Sequence, residues 1–102
     1  QSHQFPLYPG SGRAEEVGAG AGEGFNLNLP LPEGCGDAEY LALYRAFLPP
    51  LVESFAPELV LVSAGFDAHR SDPLANMKLS EEGFAQLCAL VRDLSLRHCG
   101  RG

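Results

Sequence analysis

Hydrophobic and polar side chains alternate over residues 24–31, the stretch GFNLNLPL. Every second position is phenylalanine or leucine, with asparagines between them. A period of two places alternate side chains on opposite faces of a β-strand, so the pattern predicts a strand with one buried face. Proline has no amide hydrogen to donate to a neighbouring strand, and we therefore expect Pro30 and Pro32 to end it.

A helical pattern follows the strand. Apolar side chains recur at three- and four-residue spacing from Tyr40 to Phe55, which predicts an amphipathic helix over residues 37–55 with Asp37 as its cap. Pro49 and Pro50 lie inside it, and a proline there removes a backbone donor, so we expect a kink at these two residues.

A second helix is predicted over residues 80–98. Ser80 is a good N-cap, and two glutamates in the first turn suit the helix dipole. Gly100 is expected beyond the end of this helix. Its apolar stripe consists of Phe84, Leu87, Cys88, Val91 and Leu94.

Between the two helices, an apolar, β-branched run predicts a buried strand over residues 58–64, followed by a loop over residues 65–79. The loop is rich in charged side chains. Ligands of open α/β sheets bind beyond the carboxyl ends of the strands, so this loop is where we expect the chemistry. The order of elements predicts an α/β fold with mostly parallel strands flanked by helices.

The first 24 residues predict loop structure because proline and glycine are frequent there. Gly18, Gly20 and Gly22 suggest a dinucleotide loop, but the spacing is GxGxGxG and no helix opens after it, so a flexible loop is the better interpretation. His3 lies in a proline-rich stretch, where a structural hydrogen bond is the favoured role and a ligand or base the alternative.

Length, net charge and cysteine count exclude several classes of protein. The 102 residues suffice for one domain at most, and a formal net charge of −6 has the wrong sign for direct binding of nucleic acid. No apolar run is long enough to cross a bilayer. Three cysteines at wide spacing favour an intracellular, reducing setting. The chain begins with Gln1 and lacks a signal-peptide pattern, so we expect it to be an internal part of a longer protein.

Three side chains of the loop could bind a metal ion. Asp67, His69 and Asp72 lie within six residues, and imidazole with two carboxylates is a known ligand set for zinc or iron. The alternative is that Asp67 and Asp72 bond backbone amides of a turn while His69 and Arg70 are solvated. The spacing leaves both interpretations open.

Four blocks in order carry a more specific signal: SHQFPLYPGSG, EEVGAGAGEGFNLNLPLP, GDAEYL and FAPELVLVSAGFDAHRSDPLANMKLSEEGFAQL. Together they resemble the zinc-dependent histone deacetylase family, including bacterial deacetylase-like amidohydrolases, of the arginase/deacetylase superfamily. The resemblance runs from about Ser2 to about Leu94. It implies about a quarter to a third of a single α/β catalytic domain.

The resemblance also implies site residues. It assigns Asp72 as a zinc ligand, with Asp67 structural and His69 not a ligand. Tyr8 and Leu79 are implied in the wall of the tunnel that holds the acylated lysine. The other two implied positions, for a potassium site near the zinc, are Gln1 and Ser2.

The implied activity is removal of acetyl groups from acetyl-lysine of proteins such as histones, or from related acetylated amines, with no direct nucleic-acid or membrane partner. The family's paired histidines, its other zinc ligands and its glycine-rich tyrosine loop are not in this sequence. We therefore expect this chain alone to be inactive. A non-catalytic interaction or regulatory piece is the alternative. The style of the blocks favours the bacterial cytoplasm, with nucleus or cytoplasm expected for a eukaryotic protein.

Overall fold

The computed structural model describes residues 1–99, which fold into two short strands and two long helices. Strand β1 is Ser2–Gln4 and strand β2 is Leu29–Leu31; helix α1 is Asp37–Phe55 and helix α2 is Glu81–His98. A single 3₁₀ turn, Gly20–Gly22, interrupts the long loop between the strands. The predicted α/β class is confirmed. Gly100, predicted to follow the second helix, lies outside the described residues.

The two strands pair in parallel, with Ser2 opposite Leu29 and Gln4 opposite Leu31. Strand β2 is much shorter than the predicted strand over residues 24–31 because only its last residues have a partner. The predicted alternation is also wrong at Phe25, which is exposed. Asn28, predicted on the polar face, is buried, with 6% of its surface exposed.

Burial of Asn28 is compensated by hydrogen bonds. Its side-chain amide donates to the carbonyls of Arg13 and Glu16, at 3.1 and 3.0 Å. A buried amide without partners would be costly, so these two bonds explain how the loop can lie over a polar side chain. The loop over residues 13–16 is thereby held against the start of β2.

Helix α1 has the predicted bounds but a different cap. Gly36 precedes the helix, and its amide donates to the Glu39 carboxylate at 2.8 Å. Asp37, predicted to cap this helix, instead accepts hydrogen bonds from the amide and hydroxyl of Ser80. The helix continues through both prolines and ends at Phe55, and the next residue, Ala56, caps it in a left-handed conformation. The kink at the prolines stays a prediction.

Helix α2 begins as predicted. The Ser80 hydroxyl accepts from the Gly83 amide at 3.1 Å, which confirms Ser80 as the N-cap. Leu87 and Leu94 of the apolar stripe are buried. Cys88, predicted within that stripe, is exposed, because it lies beside the contact face rather than on it.

The starts of the two helices meet in what we call the helical junction, formed by Asp37, Leu79, Ser80 and Gly83. A side chain at Gly83 would overlap the Asp37 carboxylate and lie 3.0 Å from Leu79 Cδ2, so only glycine lets the elements approach this closely. The hydrogen bonds from Ser80 lower the pKa of Asp37 below its ordinary value. Close packing at Gly83 and the hydrogen bonds to the charged Asp37 carboxylate therefore both stabilise the junction.

The core lies between α1, α2 and the residues just before α2. Leu79 is its most buried side chain, with 1% exposed. Burial raises the pKa of Tyr40, which faces the same core, to about 12. The other buried members of this cluster are Leu31, Cys35, Leu41, Ala75, Met77 and Leu87.

The strand predicted over residues 58–64 does not form within residues 1–99. We call residues 59–64 the apolar segment. Leu59, Leu61 and Val62 are exposed, Leu61 to 85%. A strand needs a hydrogen-bonded neighbour, and no backbone hydrogen bond within residues 1–99 joins this segment to another, so it forms no strand there.

Neither helix in the described part of the chain is long and apolar enough to span a bilayer.

Candidate functional site

Within the loop over residues 65–79, two backbone hydrogen bonds join residues 68 and 70 to the last residue, Leu79. The Leu79 amide donates to the Ala68 carbonyl at 3.0 Å, and the Arg70 amide donates to the Leu79 carbonyl at 2.9 Å. This pairing anchors the middle of the loop to the buried residue that precedes helix α2. The backbone that carries the charged side chains of residues 69 and 70 is therefore held in place by these bonds.

Asp72 stabilises a turn within this loop. Its Oδ1 accepts from the amides of Leu74, at 2.8 Å, and Ala75, at 3.2 Å. Its own amide donates to the His69 carbonyl at 2.9 Å. An aspartate that bonds backbone amides two and three residues later is the usual arrangement of an Asx turn. One carboxylate oxygen of Asp72 is thus used to maintain the loop.

Asp67 is placed differently. Its side chain lies at the surface, two residues after Gly65, and its carboxylate accepts no hydrogen bond from residues 1–99. The bonded turn aspartate is therefore Asp72, whereas the resemblance had given the structural role to Asp67. No contact in the described residues tests which of the two binds a metal, and that assignment stays a prediction.

His69 and Arg70 both contact Glu81, the first residue of α2. His69 Nε2 lies 3.3 Å from Glu81 Oε1, and Arg70 Nη2 donates to Glu81 Oε2 at 3.0 Å. A hydrogen bond from the backbone and, next, the charge of Arg70 lower the pKa of the Glu81 carboxyl below its ordinary value. The sequence interpretation of a solvated His69 and Arg70 missed these contacts, whose only signal is a basic pair preceding an acidic helix start.

The described residues alone do not make a metal site. Among residues 1–99, no group of three or more His, Cys, Asp or Glu side chains is arranged to hold a metal ion. A catalytic zinc site generally takes three protein ligands. Asp67, His69 and Asp72 therefore do not converge on one position, although they lie within six residues.

The residues predicted for the wall of the substrate tunnel differ in their exposure to solvent. Tyr8 is 95% exposed, whereas Leu79 belongs to the core, and the tunnel-wall role of both stays a prediction. Leu74, which sequence reasoning did not single out, is 85% exposed on the same loop as Asp67. Its signal in the sequence is a large apolar side chain directly after Asp-Pro in a charged loop.

The residues predicted for a potassium site lie at strand β1. The carbonyl of Gln1 accepts from the Leu29 amide at 2.7 Å, and the Ser2 hydroxyl lies 2.8 Å from the Tyr44 hydroxyl. These contacts connect β1 to β2 and to α1. The potassium assignment is untested by them and stays a prediction.

His3, also in β1, has the structural role that its surroundings favoured. Its Nε2 lies 2.8 Å from the Gly12 carbonyl, so Nε2 carries the hydrogen and donates it. The other ring nitrogen is buried and has no partner among residues 1–99.

Comparisons with known proteins agree with this architecture. The histone deacetylase domain model matches residues 1–102. A probable deacetylase of Methanothermobacter thermautotrophicus is 53% identical over 96 residues, covering 92% of this chain and 29% of the relative. A probable deacetylase of Archaeoglobus fulgidus is 40% identical over 98 residues, covering 96% of this chain and 27% of the relative.

Solved structures give the same result. The crystal structure of the HDA15 HD domain superposes with a TM-score of 0.86 at 36% identity, covering 91% of this chain and 28% of that one. The fold is therefore that of a deacetylase-type α/β domain. The chain belongs to the histone deacetylase family, and it spans about a quarter of the length of the curated relatives it matches.

Proposed function

We propose that this chain supplies one active-site loop of a zinc-dependent deacetylase, an amide hydrolase that removes acetyl groups from acetyl-lysine of proteins such as histones or from related acetylated amines. The observation that carries the proposal is the family match over residues 1–102, which includes the anchored loop over residues 65–79. The net charge of −6 disfavours nucleic acid as a direct partner, and the family match supports an acetylated protein or amine as substrate.

The loop would contribute one carboxylate to the zinc site. The resemblance assigns this role to Asp72. The two backbone amides that donate to its Oδ1 would orient the carboxylate, and its Oδ2 accepts no hydrogen bond within residues 1–99. Since the described residues do not complete a zinc site, the remaining ligands and the acid–base groups would come from outside this chain. A potassium ion near Gln1 and Ser2 remains part of the same proposal.

Two exposed apolar side chains suit the aliphatic stem of an acylated lysine. Tyr8 and Leu74 offer apolar surface to solvent, and an acetyl-lysine stem is itself apolar along its length. Contact with such a stem would bury both. Leu79 suits the substrate less well, because it is already enclosed by the core.

The experiment compares Asp67→Asn with Asp72→Asn in the full polypeptide that contains this chain. Bound zinc is measured by elemental analysis, and hydrolysis of an acetyl-lysine peptide is measured with and without a chelator. We expect Asp72→Asn to lose both zinc and activity, and Asp67→Asn, which removes a carboxylate that accepts no hydrogen bond within residues 1–99, to retain zinc.

Three other outcomes change the proposal. Loss of zinc in Asp67→Asn alone would move the ligand role to Asp67. Activity that survives removal of zinc would contradict zinc dependence. An unmodified polypeptide without hydrolytic activity would favour the alternative, a non-catalytic interaction or regulatory piece.

A further inference from the structure

Glu81 connects the site loop to helix α2 through two separate side chains. Arg70 Nη2 and His69 Nε2 approach different oxygens of the same carboxylate, at 3.0 and 3.3 Å. Both contacts start from adjacent residues in the middle of the loop. Because Glu81 is the first residue of an 18-residue helix, its backbone is far more constrained than that of the loop.

The His69 ring is held on three sides. Its Nδ1 accepts from the Ser71 amide at 3.2 Å, so in the neutral ring Nε2 carries the hydrogen and points it at Glu81. The Phe84 ring stacks on it, with ring centroids 6.3 Å apart and planes inclined by 21°. Phe66 packs edge-on against Phe84, with centroids 5.3 Å apart. The ring has one orientation that satisfies all of these contacts.

These contacts lie between the two candidate carboxylates. Asp67 precedes His69 by two residues, and the Asp72 amide donates to the His69 carbonyl. A shift of His69 would therefore displace Asp67 through the chain and Asp72 through the hydrogen bond. The backbone pairing at Leu79 fixes the base of the loop but not the direction of these side chains.

We propose that Glu81 is a positioning residue, which orients Asp67 and Asp72 through His69 and Arg70. Glu81 itself would touch neither substrate nor metal. The proposal rests on the proposed function for its effect on activity, although the contacts themselves can be tested without it.

The test uses the full polypeptide that contains this chain and the matched variants Glu81→Ala and Glu82→Ala. Both remove one exposed carboxylate from the first turn of α2, but within residues 1–99 the Glu82 side chain bonds only Gln86, at 3.0 Å. We expect Glu81→Ala to lower kcat for an acetyl-lysine peptide about three- to tenfold with little change in KM, and Glu82→Ala to change neither.

Amide hydrogen exchange supplies the second measurement, which is independent of activity. In Glu81→Ala we expect the amides of Ser71, Asp72 and Leu74 to exchange about two- to fivefold faster, while amides beside Leu87 and Leu94 keep their protection. Uniformly faster exchange would indicate general destabilisation and would overturn the positioning role. Equal behaviour of the two glutamate variants would overturn it as well.

Arg70 offers a conservative rescue. A single nitrogen of Arg70 contacts Glu81, so Arg70→Lys should keep about the unmodified kcat and exchange rates, whereas Arg70→Ala should resemble Glu81→Ala. An unmodified polypeptide without hydrolytic activity would contradict the proposed function, while the exchange comparison would still decide whether Glu81 orders the loop.

Discussion

The helical junction and the apolar segment both contain leucine, but only the leucine of the junction is buried. At the junction, Leu79 packs between two helices and is 1% exposed, whereas Leu61 in the apolar segment is 85% exposed. The helices satisfy their backbone internally, so each needs only one other apolar face to pack against. A strand must find its hydrogen-bond partners in another segment. The comparison shows that an apolar pattern is buried only where its backbone partners are also present.

The largest difference in stability is expected when one leucine in each region is replaced by alanine. Leu79→Ala should destabilise the chain by about 2–5 kcal/mol, because it leaves a cavity in the core. Leu61→Ala should change stability by less than about 0.5 kcal/mol, because an exposed side chain leaves no cavity. Urea unfolding of the 102-residue chain, followed by its helical circular dichroism, measures both. Equal losses of unfolding free energy in the two variants would contradict this difference between the regions.

A smaller effect is expected from a methyl group added at the junction. Gly83→Ala would force the Asp37 carboxylate away from Ser80 and crowd Leu79, at a cost of about 1–3 kcal/mol. The control is Gly22→Ala, since an added Cβ at Gly22 meets nothing within 4 Å. The same unfolding experiment applies. If both variants are as stable as the unmodified chain, close approach of the helices does not require glycine.

The smallest effect concerns charge at the junction and depends on pH. The hydrogen bonds from Ser80 lower the pKa of Asp37 in the folded state below its ordinary value of 3.8. The folded state therefore gains stability that is fully present above that value and is lost as pH falls through the lower, folded-state pKa. Asp37→Asn should cost about 1 kcal/mol at pH 7 and progressively less in acid.

Unfolding at several pH values measures this dependence. Asp93→Asn is the control, since the Asp93 carboxylate is exposed on α2 and, within residues 1–99, accepts hydrogen bonds only from its neighbour Arg92. A difference between Asp37→Asn and the unmodified chain that stays constant down to acid pH would show that the charge of Asp37 does not stabilise the junction.

Sequence reasoning predicted the parts of the site that depend on local order. It located the loop over residues 65–79 and identified Ser80 as the N-cap of α2, since turn and cap residues act within a few positions. It misassigned the cap of α1, because Asp37 bonds Ser80, 43 residues away. It also missed the contacts of Glu81 with His69 and Arg70, which arise only once the loop folds back on the helix.

The sequence by itself determined both helices, their bounds within a residue, and the α/β class, because helical periodicity and caps are local properties. Only the tertiary structure decided that Asn28 is buried, that Asp37 bonds Ser80, and that Leu79 is core. It also decided that residues 58–64 form no strand among those described. Each of these outcomes depends on a partner distant in the chain, and a one-dimensional pattern does not specify which partner that will be.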